Sequence, residues 1–303
     1  MAKEKNPNKI KDPVVDKVFY GINYGILGLL LLIVAYPCYF VLVASFSDPK
    51  VVNSGKILLF PEGFNTLGYQ RVFEDMDIWI AYGNTIIYTV LGSLVGVTVC
   101  ILAGYALSRR DMPFRNIIMG IFVFTMYFGG GLIPFYMLVQ DLHLGNTRTL
   151  MIILGAASVY NIIISRSFFA STIPTELQEA AEIDGCGNAK FFWSIVIPLS
   201  KPIIAVIALY VAVGKWNEYF NALIFITDED KQPLQLVLRA KLLAVSTTST
   251  DTTIDPSAAE AMQTMAEVLK YAIIVVATVP ILMVYPFIQK YFAKGVMIGS
   301  IKG

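Results

Sequence analysis

The chain has 303 residues, of which 56% are hydrophobic and only 15% charged, and its mean hydropathy is +0.65. Its 23 basic residues nearly cancel its 22 acidic ones, leaving +1; that balance excludes a polyelectrolyte surface for nucleic acid, and the apolar content excludes a disordered chain. Three widely spaced cysteines (Cys38, Cys100, Cys186) and one histidine, His143, exclude a disulfide framework and His-rich metal chemistry, so no metal site is expected.

In chain order, the amino-terminal segment 1–17 is polar and basic, and a charge-free run follows at 18–46. The run is too long for the apolar core of a cleaved signal peptide, so it reads as an uncleaved first helix. Further charge-free runs lie at 78–108, 116–140, 149–165 and 271–289, and a sixth apolar segment at 202–226 is interrupted by Lys215 and Glu218. Each reaches or approaches the roughly 20 apolar residues that a helix needs to cross a bilayer. The runs are continuously apolar rather than alternating, which argues against barrel strands. The expectation is an all-α integral membrane protein of six transmembrane helices: a segment 1–17, a membrane domain 18–292 and a tail 293–303.

Basic residues orient the chain. With the amino terminus inside, segments 1–17, 108–115, 166–201 and 290–303 hold 14 Lys and Arg, whereas 47–77, 141–148 and 226–270 hold 8. Both termini are therefore expected in the cytoplasm, with membrane lipid around the spans. Gly129, Gly130, Gly131 and Pro134 predict a broken or kinked third span, lining a cavity or allowing close packing.

The inner loop 166–201 does not read as a linker. Pro174 and Thr175 start a helix, and Thr175-x-x-Gln178 matches a capping box. Leu177, Ala180, Ala181 and Asp184 share one face. Gly185 stops the helix, Gly187 permits a sharp turn, and Asn188 is placed to cap a second helix that Pro198 and Pro202 end. With three basic and four acidic residues, the loop is poorly suited to binding headgroups alone.

Glu179-Ala180-Ala181, three residues, Gly185, nine residues, Ile195, one residue and Ile197-Pro198 together resemble the EAA signature of permeases in binding-protein-dependent ABC importers. The final Leu-Pro usual in that family is Ile-Pro here. Asp184 before Gly185, the Pro198-Leu199-x-x-Pro202 run, Ala103 to Arg109, Leu144-Gly145-Asn146-Thr147 and Trp216-Asn217-Glu218-Tyr219 agree with its carbohydrate branch, of maltose and polysaccharide type. The resemblance implies a type I ABC importer transmembrane domain in a prokaryotic cytoplasmic membrane, with a coupling helix seated on an ATPase. It implies five partners: a second homologous permease, two cytoplasmic ATPase subunits, a solute-binding protein and an oligosaccharide or polysaccharide fragment. Glu179, Ala180, Ala181, Asp184, Gly185 and Pro198 become the expected ATPase-coupling residues: Glu179 pairs with a basic ATPase residue, Asp184 braces the turn and Gly185 permits it.

No G-x-x-x-x-G-K-[ST] phosphate loop occurs, so this chain is expected to bind no cofactor and catalyse nothing, with ATP and Mg on the partner ATPase. Candidate pathway groups are the polar and aromatic residues of the spans: Asn84, Tyr127, Tyr136, Asn161, Trp216, Asn217, Glu218 and Tyr219. Glu218 is an ionisable group at membrane depth, although Lys215, three residues earlier, is placed to neutralise it. The outer loop 226–270 holds 4 basic and 7 acidic residues; it reads as a flexible surface loop or, by resemblance, as a segment that enters the docked binding protein. An ion- or proton-coupled secondary transporter is the alternative, with no obvious repeat to support it. An intramembrane enzyme is disfavoured by the lone histidine.

Overall fold

The computed structural model describes residues 13–55, 59–248, 269–283 and 286, whose regular elements are helices, with no strand among them. The carboxyl tail, residues 249–268 and most of segment 1–17 lie outside the described residues. The chain forms two compact units, one of residues 1–69 and 255–275, the other of 70–254 and 276–303.

In the first unit, α1 (Val14–Ser45) is a 32-residue helix that begins a little before the charge-free run. Its window of highest mean hydropathy, 2.6, is almost wholly exposed, as suits a helix solvated by lipid. α2 (Pro49–Asn53) is capped by Asp48, whose side chain accepts from Lys50 N at 2.8 Å. Stacking of Phe46 on Phe64 and Tyr69, at 5.8 and 4.9 Å, fixes the turn beyond α1.

The second unit is built around α4. A short α3 (Leu67–Glu74) precedes it, and Asp75 caps α4 (Met76–Ser108) by accepting from Asp77 N. At 33 residues α4 is about 50 Å long, more than the hydrocarbon thickness. Glycines make one side of it approachable: at Gly104 an added Cβ would lie 2.5 Å from Ser165 Cβ, and at Gly96 3.0 Å from Val211. The neighbours that use this side are α7 (Arg148–Ile153), α8 (Val159–Thr172) and α11 (Lys201–Trp216).

Several spans differ from a simple six-helix reading. The third is broken as the glycines predict: α5 (Arg115–Tyr127) and α6 (Leu132–Asp141) meet at 112°, with Gly131 at φ +88°. The fourth is not one helix over 149–165 but α7 and α8, parted at 154–158, where Gly155 takes φ +73°. The fifth is not continuous to 226; α11 stops at Trp216, and α12 (Phe220–Phe225) restarts after three residues. The expected loop 226–270 contains α13 (Leu234–Thr248), whose Leu234, Leu236, Val237 and Leu238 are buried, so this part is packed rather than flexible. α14 (Leu269–Met283) overlaps the charge-free run 271–289. Two single helices, α1 and α4, are long and apolar enough to span a membrane among the described residues, and the bent pairs α5–α6 and Asn188–Leu199 with α11 qualify if each counts as one.

Candidate functional site

The segment 166–201 folds as a helical hairpin. α9 (Thr175–Ile183) begins at the expected place, but the capping box is not formed. Pro174 holds the cap position with φ −64°, which makes Thr175 the first helical residue and its hydroxyl one position late for capping. Gln178 instead donates to Glu182 Oε1 at 2.8 Å. Of the expected face, Leu177 and Ala181 pack on the core while Ala180 and Asp184 are exposed. The opposite side presents Glu179, Glu182 and Ile183, the last 86% exposed despite being apolar.

The turn follows the glycines. Gly185 has φ +72°, a region where a side chain clashes with the backbone, and Cys186 N returns to Ala181 O at 2.8 Å. Gly187, not Asn188, occupies the cap position of α10 (Asn188–Leu199), and it makes no side-chain cap bond. Residues Phe192–Val196 widen into a π turn just before Pro198. Proline lacks an N–H and its ring presses on the preceding turn, and a widened turn accommodates both. Pro198 is exposed, and α10 meets α11 at 80°.

Asn188 serves a different contact, in which its Oδ1 accepts from Arg109 Nη1 at 2.9 Å. Arg109, at the end of α4, also grips Asp111 with both ends of its fork, Nε to Oδ1 at 2.8 Å and Nη2 to Oδ2 at 2.6 Å. It lies 3.8 Å from Glu182 on α9, and its side chain is only 12% exposed. The hydrogen bond to Asp111 raises the pKa of Arg109 and holds the Asp111 carboxyl below the usual range. A pocket of about 700 Å³ opens beside α9, between it and the ends of α4 and α8, with Arg109, Arg115, Arg166, Gln178, Glu179 and Glu182 in its walls.

The candidate pathway residues do not converge on one point. Asn84 is buried and clamps the chain that leads to α13, donating to Asp230 O at 2.8 Å and Gln232 O at 3.1 Å. Tyr88 donates to Lys231 O and Thr85 accepts from Leu234 N, both at 2.7 Å. Asn146, at φ +55°, accepts from Thr227 N and Asp228 N, and Lys231 pairs with Asp228 at 2.6 Å, which depresses the Asp228 pKa. We predict that Asn84→Ala, by removing two of these bonds, costs about 1–3 kcal/mol. Thermal unfolding of the detergent-purified protein checks this, and an unchanged Tm would mean that the segment is held without Asn84.

Tyr127 ends α5, 81% exposed, while Tyr136 stacks on Phe225 at 5.7 Å and Asn161 is buried near the start of α8. Trp216 is buried and donates from Nε1 to Ala277 O at 3.2 Å. Asn217 Nδ2 caps back onto Val213 O at 2.8 Å. Glu218 is not neutralised by Lys215 through an ion pair, because α11 ends between them; its Oε1 accepts from Asn221 N and Nδ2 at 3.2 and 3.0 Å. Tyr219 is 36% exposed, and the Arg239 guanidinium lies 4.6 Å over its ring.

Lys215 itself does what the sequence left open. It is 7% exposed and its Nζ donates to Met151 O at 2.5 Å, in the last turn of α7, and to Leu154 O at 2.7 Å, just past its end. Gly92 makes room for it, since a Cβ there would lie 2.8 Å from Lys215 Cε. One ammonium thus ties α11, α7 and the glycine side of α4 beside the breaks at 154–158 and 217–219. Among the described residues, no group of three or more His, Cys, Asp and Glu is arranged to hold a metal ion.

Known proteins share this architecture. Protein LplC of Bacillus subtilis (strain 168) is 39% identical, over 95% of this chain and 96% of its own length. The polygalacturonan/rhamnogalacturonan transport system permease protein YtcP of the same organism is 38% identical, over 95% and 99%. A chain from the crystal structure of a bacterial ABC transporter involved in the import of the acidic polysaccharide alginate superposes with a TM-score of 0.81 at 34% identity, covering 94% of this chain and 100% of that one. The binding-protein-dependent transport system inner membrane component family matches residues 89–298. The chain belongs to that family: it is a membrane permease of the ABC transporter class with the type I importer fold.

Proposed function

We propose that the chain forms half of the translocation pathway of an ATP-driven, binding-protein-dependent importer of oligosaccharides or polysaccharide fragments. A second permease completes the pathway, two separate ATPase subunits on the cytoplasmic side supply the energy, and a solute-binding protein delivers substrate on the other. Both termini then face the cytoplasm, as the basic-residue bias requires.

The hairpin 174–198 carries this reading. Its α9 leaves Glu179, Ala180, Ile183 and Asp184 exposed around a Gly185 turn whose backbone only glycine adopts without strain. A short helix with small, apolar and acidic groups outward fits a groove on a basic partner, with Glu179 as the charge contact. Proline at 185 cannot take φ +72°. Gly185→Pro is therefore expected to abolish ATP-driven transport while leaving insertion in the membrane intact. Uptake by the reconstituted complex measures the first and membrane fractionation the second; unimpaired uptake would sink the coupling role.

For the substrate we favour acidic chains. Two of the similar proteins are named for transport or import of polygalacturonan and alginate, and Arg239, stacked over the Tyr219 ring, places a cation beyond the end of α11. ATP-dependent uptake of oligogalacturonides and alginate oligosaccharides, against neutral malto-oligosaccharides, tests the class. Uptake driven by an ion gradient without ATP would instead favour a secondary transporter.

A further inference from the structure

The geometry points to Arg109 as the joint that carries movement of the 174–198 hairpin into α4, a role distinct from those of the residues that face the ATPase. Its position is unusual in reaching both arms of the Gly185 turn. Glu182 lies before the turn and Asn188 after it, and Arg109 contacts the first at 3.8 Å and the second at 2.9 Å. On its own side Arg109 is locked to Asp111 by two bonds and lies 3.3 Å from the Tyr105 hydroxyl, one turn back along α4. Arg115 Nη1 donates to the Arg109 carbonyl at 3.0 Å, and Arg166 Nε donates to Leu107 O at 3.1 Å, so the end of α4 is stiffened from two further helices.

The rest of α9 is loosely held. Its inward residues Leu177 and Ala181 pack on the core, but the pocket of about 700 Å³ leaves its flank without support. Among the described residues, Arg109 makes the only ion-pair contact between α9 and the remainder of the protein. Packing through two small apolar contacts lets a helix rock, whereas a five-donor planar fork fixed to α4 transmits the rocking as a directed pull. A lysine keeps the charge but lacks the planar fork that reaches Asp111, Asn188 and Glu182 at once.

The inference rests on the coupling role proposed above, and its test separates the two. The complete transporter, with its ATPase and binding protein, is reconstituted in proteoliposomes carrying Arg109→Gln, Arg109→Lys or Glu179→Ala. Transport and ATP hydrolysis are read per assembled complex. Arg109→Gln is expected to lower the number of substrates moved per ATP about tenfold, with hydrolysis retained and assembly near normal. Arg109→Lys should recover only part of that ratio. An unchanged ratio in Arg109→Gln, beside a lowered one in Glu179→Ala, overturns the joint and leaves the coupling helix standing. An unchanged ratio in both overturns the coupling reading itself. Should Arg109→Gln fail to assemble, Asn188→Ala removes one arm of the contact alone; a normal ratio there also overturns the inference, and a reduced ratio supports it.

Discussion

Replacing Lys215 with methionine is expected to cost about 2–6 kcal/mol and to leave little assembled transporter in the membrane. The side chains have similar length and the apolar packing survives, so the loss falls on the two carbonyls that the ammonium serves. Met151 O lies in the last turn of α7 and Leu154 O just past its end, where the helix has no further N–H to offer, and the burial of Lys215 leaves no room for water to replace it. Each orphaned carbonyl is worth about 1–3 kcal/mol. Lys215→Arg should also fail, because Gly92 leaves space for a slender stem and not for a guanidinium. Thermal unfolding and the yield of monodisperse protein in detergent measure the effect. A Lys215→Met protein as stable as the parent would show that α7 ends without needing the cation.

The second large effect is expected at Gly104, in the Ala103–Arg109 stretch. An added Cβ would stand 2.5 Å from Ser165 Cβ, 3.0 Å from Arg166 N and 3.2 Å from Ile162 O. Two of these three atoms are backbone and cannot rotate away, so α4 and α8 must separate along their contact. Overpacking of this kind costs about 1–3 kcal/mol for a methyl group, and Gly104→Val should exceed it and prevent folding. Gly214 is the internal control. It is also helical, yet a Cβ there meets nothing within 4 Å, so Gly214→Ala should be neutral or stabilising by up to about 1 kcal/mol. Equal behaviour of Gly104→Ala and Gly214→Ala in thermal unfolding would refute the close-approach argument.

These two sites show where sequence reasoning stops. Charge-free runs locate apolar helices because lipid imposes one rule on every lipid-facing residue, and Gly129–Gly131 announce a break because three glycines in succession forfeit helix propensity. The hairpin around Gly185 is legible for the same reason: its turn needs a positive φ, and the flanking pattern sets the helix starts to within a residue. The capping box fails by that one residue, since Pro174 rather than Thr175 takes the cap. The breaks at 154–158 and 217–219 are harder to see. Leu154-Gly155-Ala156-Ala157 is as apolar as the helices around it, and the carbonyls left there are satisfied from a distant residue.

Side-chain roles are the least legible. Asn84 stands out in an apolar run, which suggests a pathway group, but its two acceptors are main-chain atoms 146 and 148 residues later. Composition carries no record of such pairings. Arg109 and Asn188 are both visible, one as the end of a family-like stretch and the other as a helix cap, and only their placement joins them. Residues that act through tertiary contacts leave no local periodicity to read.

The buried ammonium has a consequence for biosynthesis. Met151 and Leu154 precede Lys215 by 64 and 61 residues. A ribosome therefore delivers the acceptor carbonyls, and Gly92 before them, to the membrane ahead of the charge that will use them. Inserting a lone lysine at bilayer depth costs about 3 kcal/mol on translocon scales. In this order of synthesis its ligands are already made when α11 emerges, and the cation never has to wait in lipid for a partner still to be translated.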